Sequence, residues 1–159
     1  MNRTKALTRG AVIAALYVVL TLVSAAFGLS SGVIQLRLSE ALCVLPFFCA
    51  EAVPGLFLGC LIANLVTGAP IWDILFGSLA TLLGAAGARL LRRWRFLVPI
   101  PTVLANALII PPVLIFAYGV PDAYLFLVAT VSAGEILSCG VLGLLLLTVL
   151  QKRAKGLFD

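Results

Sequence analysis

The stretch Ala88-Arg89-Leu90-Leu91-Arg92-Arg93-Trp94-Arg95-Phe96 decides the fold, because it is a basic island between two long, largely apolar runs at residues 10–88 and 96–151. Its counterparts are Arg3, Lys5 and Arg9 at the start of the chain and Lys152, Arg153 and Lys155 at its end. Of the eleven basic residues only Arg37 falls outside these clusters. Lys and Arg mark the cytoplasmic side of a membrane protein, so all three clusters are placed there. The chain must then cross an even number of times between each pair. At about 20 residues per helix, the first run holds four crossings and the second holds two. The expected fold is therefore an all-α integral membrane protein of six transmembrane helices. Both termini are cytoplasmic and residues 1–159 form one domain, since no repeat or linker interrupts them.

Composition supports the same class. Hydrophobic residues make up 63% of the chain and charged residues 11%, against about 25% charged in soluble globular domains. The net charge of +5 is assigned to anionic lipid at the inner interface, so no nucleic-acid partner is inferred. The cysteines Cys43, Cys49, Cys60 and Cys139 stand singly in apolar segments and read as small core residues, with no metal site among them. The absence of histidine excludes a His-based triad and histidine ligation of haem. A basic Met1–Arg9 followed by an apolar run and Ser24-Ala25-Ala26 loosely resembles a signal peptide. It is read instead as the first membrane helix.

The pattern places helix 1 at Arg9–Phe27, with Gly10, Ala11, Ala14 and Ala15 forming two small-xxx-small pairs suited to close helix approach. An outer loop follows at Gly28–Leu36, then a short helix 2 at Arg37–Ala50 with Pro46 inside it. Glu51-Ala52-Val53-Pro54-Gly55 reads as a tight inner turn. Helix 3 is set at Gly55–Val66, an outer turn at Thr67–Pro70 and helix 4 at Ile71–Arg89. Helix 5 covers Phe96–Tyr118, where Pro111-Pro112 predicts a kink or unwound turn. After an outer turn at Gly119–Asp122, helix 6 runs from Asp122 to Leu150.

On this topology Arg37, Glu40, Asn64, Trp72, Asp73, Asn106 and Glu135 come from different elements, yet all fall in the middle or outer half of the membrane. A charge at the bilayer centre costs about 2.5–3.5 kcal/mol even on the lenient insertion scale, so such residues should face a partner or a cavity. Their convergence reads as a polar pocket open to the outside. Each also has a structural reading. Arg37 and Glu40 could pair at i, i+3, Asp73 could serve the first turn of its helix, and Trp72 could belong to the interfacial belt. Asn64 and Asn106 could staple helices together. Glu135, mid-span without a basic neighbour in sequence, is the hardest to explain structurally. Glu51 and Asp122 lie in expected turns and read as solvated.

Three strings carry a resemblance: Gln35-Leu36-Arg37-Leu38-Ser39-Glu40-Ala41-Leu42 with Leu45-Pro46, Gly59-Cys60-Leu61-Ile62-Ala63-Asn64, and Asp73-Ile74-Leu75-Phe76-Gly77-Ser78-Leu79-Ala80-Thr81-Leu82. Together they resemble the QueT family, substrate-capture (S) components of energy-coupling-factor (ECF) transporters associated with uptake of queuosine precursors. The resemblance extends over essentially the whole chain and is strongest at residues 35–82. It implies a six-helix protein of the bacterial plasma membrane that is not an enzyme, needs no cofactor, and holds its ligand near the outer face. Ala11 and Ala15 match the family's Ala-xxx-Ala motif, which docks on a transmembrane coupling subunit carrying two cytoplasmic ATPases. Consistent with that, the chain has no G-x-x-x-x-G-K-[ST] phosphate loop.

The implied ligand is a 7-deazaguanine: 7-aminomethyl-7-deazaguanine, its cyano analogue or queuine. A carboxylate can accept the two adjacent N–H donors of such a base, and an amide can serve its carbonyl and ring nitrogen. Glu135 or Glu40 is assigned to the donor edge and Asn64 or Asn106 to the acceptors. Trp72, Tyr118 or a nearby Phe would stack on the ring, and Asp73 would meet the cation of the aminomethyl form. Three other functions compete: an S component for riboflavin, thiamine or biotin, a proton-coupled secondary transporter using Glu135, and a membrane enzyme. The lack of an inverted repeat disfavours the second, and the lack of a nucleophile-and-base pair disfavours the third.

Overall fold

The computed structural model describes residues 3–29, 35–119 and 121–153, and among these every regular element is helical. Residues 30–34 of the outer loop, Val120, Lys155 and the side chain of Tyr118 lie outside what is described. Helix α1 covers Arg3–Ala26, a 3-10 helix covers Leu38–Phe47, and α2 covers Ala52–Val66. Helices α3 (Ile71–Leu90) and α4 (Ile100–Tyr118) follow. Then α5 (Tyr124–Glu135) passes through a π-helical segment (Ile136–Leu142) into α6 (Gly143–Arg153) as one continuous rod.

Four of these helices are long and apolar enough to cross a membrane: Arg3–Ala26, Ile71–Leu90, Ile100–Ala117 and the joined Tyr124–Arg153. The 3-10 helix and α2 are shorter. At about 2.0 Å per residue the 3-10 winding stretches its ten residues to roughly 20 Å, where an α-helix would reach about 15 Å.

Contacts show how the chain travels. The Leu38 amide donates to Ser24 Oγ at 2.9 Å, tying the start of the 3-10 helix to the far end of α1. Its other end meets α3, where Arg89 Nη1 donates to Pro46 O at 2.9 Å. Arg95, in the α3–α4 connection, donates from Nη2 to Thr148 Oγ1 on α6 at 2.8 Å. Arg9 and Arg89 both lie within electrostatic reach of Cys49. The described parts of the three basic clusters therefore gather at one end of the bundle.

The α1–α2 contact depends on two glycines. A Cβ on Gly55 would stand 2.7 Å from Gly10 O, and one on Gly59 would stand 2.7 Å from Tyr17 Cβ and 3.0 Å from Ala14 O. No side chain fits in that space, so the two backbones touch directly. Gly10 and Ala14 are thus used inside the bundle, whereas Ala11 and Ala15 remain exposed. The core beneath this contact contains Tyr17, Leu56, Cys43, Cys60 and Cys139. All four cysteines are free and buried, as core residues should be.

The structure corrects several element boundaries. Helix 2, expected at Arg37–Ala50, is the shorter 3-10 helix. The expected turn at Glu51–Gly55 is already helix, because α2 starts at Ala52 and Pro54 sits in its first turn, where an amide hydrogen has no helical partner to lose. Helix 5 begins at Ile100 instead of Phe96, since residues 91–99 form successive turns with Trp94 N bonded to Leu91 O and Leu97 N to Trp94 O. Pro111 and Pro112 do not unwind α4, which stays helical through both while packed along α3. The irregularity lies in helix 6, where a π-helical segment follows Glu135.

Candidate ligand-binding site

At the end of the bundle opposite the basic clusters lies a cavity of about 360 Å³ with a mixed polar and apolar wall. Its polar lining comes from Thr21 on α1, Gln35 and Arg37 before the 3-10 helix, Asn64 on α2, Thr67 just after α2 and Asp73 on α3, while α4 contributes Ile110 and Leu114. The volume falls within the roughly 300–1,000 Å³ of small-molecule sites.

Arg37 has extended backbone, with φ −107° and ψ 108°. That conformation sends its side chain across to α3, where Nη2 stands 3.9 Å from Asp73 Oδ2. Asp73 is buried in the first turn of α3. Arg37 therefore pairs with Asp73 and not with Glu40, although Glu40 lies at i, i+3. Asn64 is 4% exposed and donates from Nδ2 to the Asp73 carbonyl at 3.4 Å, stapling α2 to α3.

Glu40 is 2% exposed and lies behind the cavity wall. It accepts hydrogen bonds from the Tyr17 hydroxyl at Oε1 and from Cys43 Sγ at Oε2, the latter 3.0 Å long. Both carboxylate oxygens are thus engaged inside the protein. Thr21 Oγ1 continues this network, 2.9 Å from both Tyr17 O and Ser39 Oγ.

Glu135 and Asn106 face each other across the α4–α5 contact, with Glu40 and Arg37 near enough to act on the Glu135 charge. The two side chains lie close enough to interact with each other, yet Glu135 Oε2 and Asn106 Nδ2, both shielded from solvent, close no hydrogen bond of good geometry among the described residues. The same holds for Thr102 Oγ1, one turn along α4, and Ser138 Oγ in the π-helical segment. Asn106 precedes the cavity-lining Ile110 by one helical turn, which places this polar seam just below the cavity floor.

Trp72 stands apart. It is 54% exposed and stacks on Phe76 with ring centroids 6.1 Å apart. Both rings line a separate apolar groove of about 430 Å³ between α3 and α4, together with Ile109, Pro112, Val113 and Phe116. The structure thus brings Arg37, Asn64 and Asp73 to one cavity, puts Glu40 behind its wall and Asn106 with Glu135 beneath it, and leaves Trp72 outside. At the basic end, exposed Ala11 lines a shallow groove with Gly55 and Leu58, and exposed Ala15 follows it one turn along α1.

Sequence reasoning missed Tyr17, Thr21 and Gln35. A signal existed for the first two, because Tyr17, Thr21 and Ser24 recur at i, i+4 and i+7 as a polar stripe on an otherwise apolar helix.

Comparison with known proteins places the chain. A model of the QueT transporter family matches residues 7–152. The chain belongs to the QueT transporter family. A 72-residue stretch is 38% identical to the protein named Queuosine precursor transporter QueT from Lactococcus lactis subsp. cremoris (strain MG1363), covering 45% of this chain and 42% of that relative. The match therefore spans less than half of the relative's length. No solved structure matches. QueT is a family of transporters and not of enzymes. With four long apolar helices, this QueT-family chain is a multi-pass membrane protein.

Proposed function

We propose that this QueT-family protein is the substrate-capture component of an ATP-driven ECF importer, binding a 7-deazaguanine queuosine precursor at the extracellular side. In this reading all six helical passes span the bacterial plasma membrane, with both termini and the basic clusters in the cytoplasm. The observation that carries it is the polar cavity at the end away from those clusters, lined by Arg37, Asn64 and Asp73, with Glu135 Oε2 and Asn106 Nδ2 beneath it lacking hydrogen bonds of good geometry among the described residues. Buried polar atoms are normally paired, and a ligand supplies the missing partners economically.

The internal contacts favour one choice among the sequence candidates. Glu40 is engaged at both oxygens, and Asn64, although it lines the cavity, has its Nδ2 engaged in the α2–α3 staple. Glu135 and Asn106 lie beside each other, and Glu135 Oε2 and Asn106 Nδ2 still lack a well-formed hydrogen bond among the described residues. Glu135 is therefore assigned to the N–H edge of the base and Asn106 to its acceptors, while Arg37 and Asp73 bind at the mouth. Exposed Ala11 and Ala15 are left for the coupling subunit, which brings the two ATPases.

Calorimetric titration of the detergent-purified chain tests the reading, with 7-aminomethyl-7-deazaguanine, its cyano analogue, queuine, guanine, riboflavin, thiamine and biotin as ligands. Tight binding of a 7-deazaguanine by the chain alone is the expected result, and binding of a vitamin in its place would replace the ligand class. A second reading, proton-coupled secondary transport, rests on Glu135, a half-buried carboxylate near mid-bundle with one oxygen shielded from solvent. Uptake in vesicles that survives collapse of the proton gradient but requires ATP would exclude it.

A further inference from the structure

The α3–α4 connection is more ordered than a surface loop needs to be. Trp94 N bonds Leu91 O at 2.9 Å, Leu97 N bonds Trp94 O at 2.8 Å and Ile100 N bonds Leu97 O at 3.1 Å, so one turn follows another. From these turns Arg92, Arg93 and Trp94 project into the surroundings, and Phe96 is 68% exposed. Arg95 is held differently. Its Nη2 donates to Thr148 Oγ1 at 2.8 Å, its guanidinium lies 4.9 Å from the centroid of the Phe96 ring, and its Nε is buried with no hydrogen bond. Thr148 stands one helical turn before Lys152 on α6, and Lys152 and Arg153 are exposed. The Arg95–Thr148 bond therefore brings the arginines of the α3–α4 connection up to the basic end of α6, where Lys152 follows Thr148 by one turn. No acidic residue occurs from residue 74 to 121 or from 136 to 158, so nothing within these segments neutralises them.

Two features separate this face from a scatter of interfacial charges. One arginine is fixed in place by a neighbouring helix, with an unused buried donor. Exposed aromatic rings also alternate with the arginines, as suits groups that sit at headgroup depth with one apolar and one wet side. Guanidinium groups bind phosphate through paired N–H donors, and preorganisation lowers the entropy lost on binding. Arg89 is not part of the face, because it is spent on Pro46 O and Phe47 O.

We propose that Arg92, Arg93 and Arg95, with Lys152 and Arg153, form a binding site for the phosphate of an anionic phospholipid at the basic end of the bundle. Trp94 and Phe96 would lie alongside its glycerol and upper acyl region. The site is remote from the ligand cavity, so it stands whether or not the proposed substrate is right.

The test is native mass spectrometry of the full chain in detergent, titrated with phosphatidylglycerol or phosphatidylcholine. The expected result is at least tenfold preference for phosphatidylglycerol. Arg92→Gln/Arg93→Gln should weaken its retention about tenfold. Thr148→Val, which keeps every charge but frees Arg95, should weaken it several-fold. The exposed pair is not needed for folding, and unchanged thermal unfolding verifies that. Equal retention of the two lipids overturns the proposal. So does an equal loss when Arg3→Gln/Lys5→Gln removes the same charge elsewhere, since that marks a diffuse field and not a site. Displacement of the lipid by millimolar inorganic phosphate overturns it too, pointing to a soluble anion.

Discussion

Tyr17 on α1 donates its phenolic hydroxyl to the carboxylate of Glu40 on the 3-10 helix, and the two side chains are 1% and 2% exposed. The pair fastens the first helix of the chain to the short helix that carries Arg37 to the cavity mouth. Without it, a carboxylate would sit in a low-dielectric interior with half of its accepting capacity unmet.

Tyr17→Phe removes that donor and leaves the rest of the ring in place. The orphaned oxygen should cost about 1–3 kcal/mol of stability. Thermal unfolding in detergent should show a clearly lowered midpoint. Glu40→Gln should be milder, because an amide oxygen still accepts from Tyr17. Full stability of Tyr17→Phe would mean that the hydrogen bond does not hold these helices together.

Glu135→Gln has the opposite profile. Glu135 Oε2 closes no hydrogen bond of good geometry among the described residues, and a glutamine oxygen can still accept from its neighbour Asn106, so replacing the carboxylate with a neutral amide should leave unfolding nearly unchanged. Affinity for a 7-deazaguanine should fall at least tenfold, since an amide cannot accept two N–H donors as a carboxylate does. Calorimetry on the variant decides it, and undiminished binding would remove Glu135 from the site. Asn106→Ala should likewise weaken binding more than it weakens the fold.

The small residues of α1 and α2 separate into two sets with different expected effects. Gly59→Ala places a methyl 2.7 Å from Tyr17 Cβ and 3.0 Å from Ala14 O. It should destabilise the protein by about 1–3 kcal/mol through overpacking. Ala15→Leu adds bulk on an exposed face and should change neither unfolding nor ligand binding by the isolated chain. With the coupling subunit and ATPases present, it should abolish uptake. If uptake by Ala15→Leu were normal in reconstituted vesicles, the proposed docking face would be wrong.

Much of this architecture was legible in the sequence because the membrane makes a few rules strict. The basic clusters at residues 3–9, 89–95 and 152–155 indicated which ends of the helices lie together, and Arg89 and Arg95 do meet residues of the 3-10 helix and α6. The strings around Arg37, Asn64 and Asp73 also pointed to residues that share a cavity. Other features depended on packing that a linear pattern does not carry. Proline chemistry marked residues 111–112 as the weak point of the last third of the chain, yet α4 stays helical there and the irregular turn follows Glu135. Trp72 and Asp73 are adjacent in sequence, but one helical step of about 100° turns the indole outward to the lateral groove while the carboxylate faces the cavity. Ala11 and Gly10 diverge for the same reason, one outward and one against Gly55.

The Arg37–Asp73 contact allows a last, quantitative test. At 3.9 Å with Arg37 partly exposed, the pair is worth about 1 kcal/mol and not the several that a dry interior would give. Arg37→Gln leaves the Asp73 carboxylate buried without this counter-charge, and Asp73→Asn leaves the guanidinium without its acid. The double variant removes both charges together, so it should be more stable than the sum of the two single losses by about 1 kcal/mol. A double-mutant cycle on thermal or denaturant unfolding measures that difference directly. Ligand titrations on the same four proteins then separate support of the cavity mouth from direct contact. If Arg37 only positions Asp73, the double variant should bind as well as Asp73→Asn alone. If Arg37 touches the ligand itself, the double variant should bind more weakly than either single one.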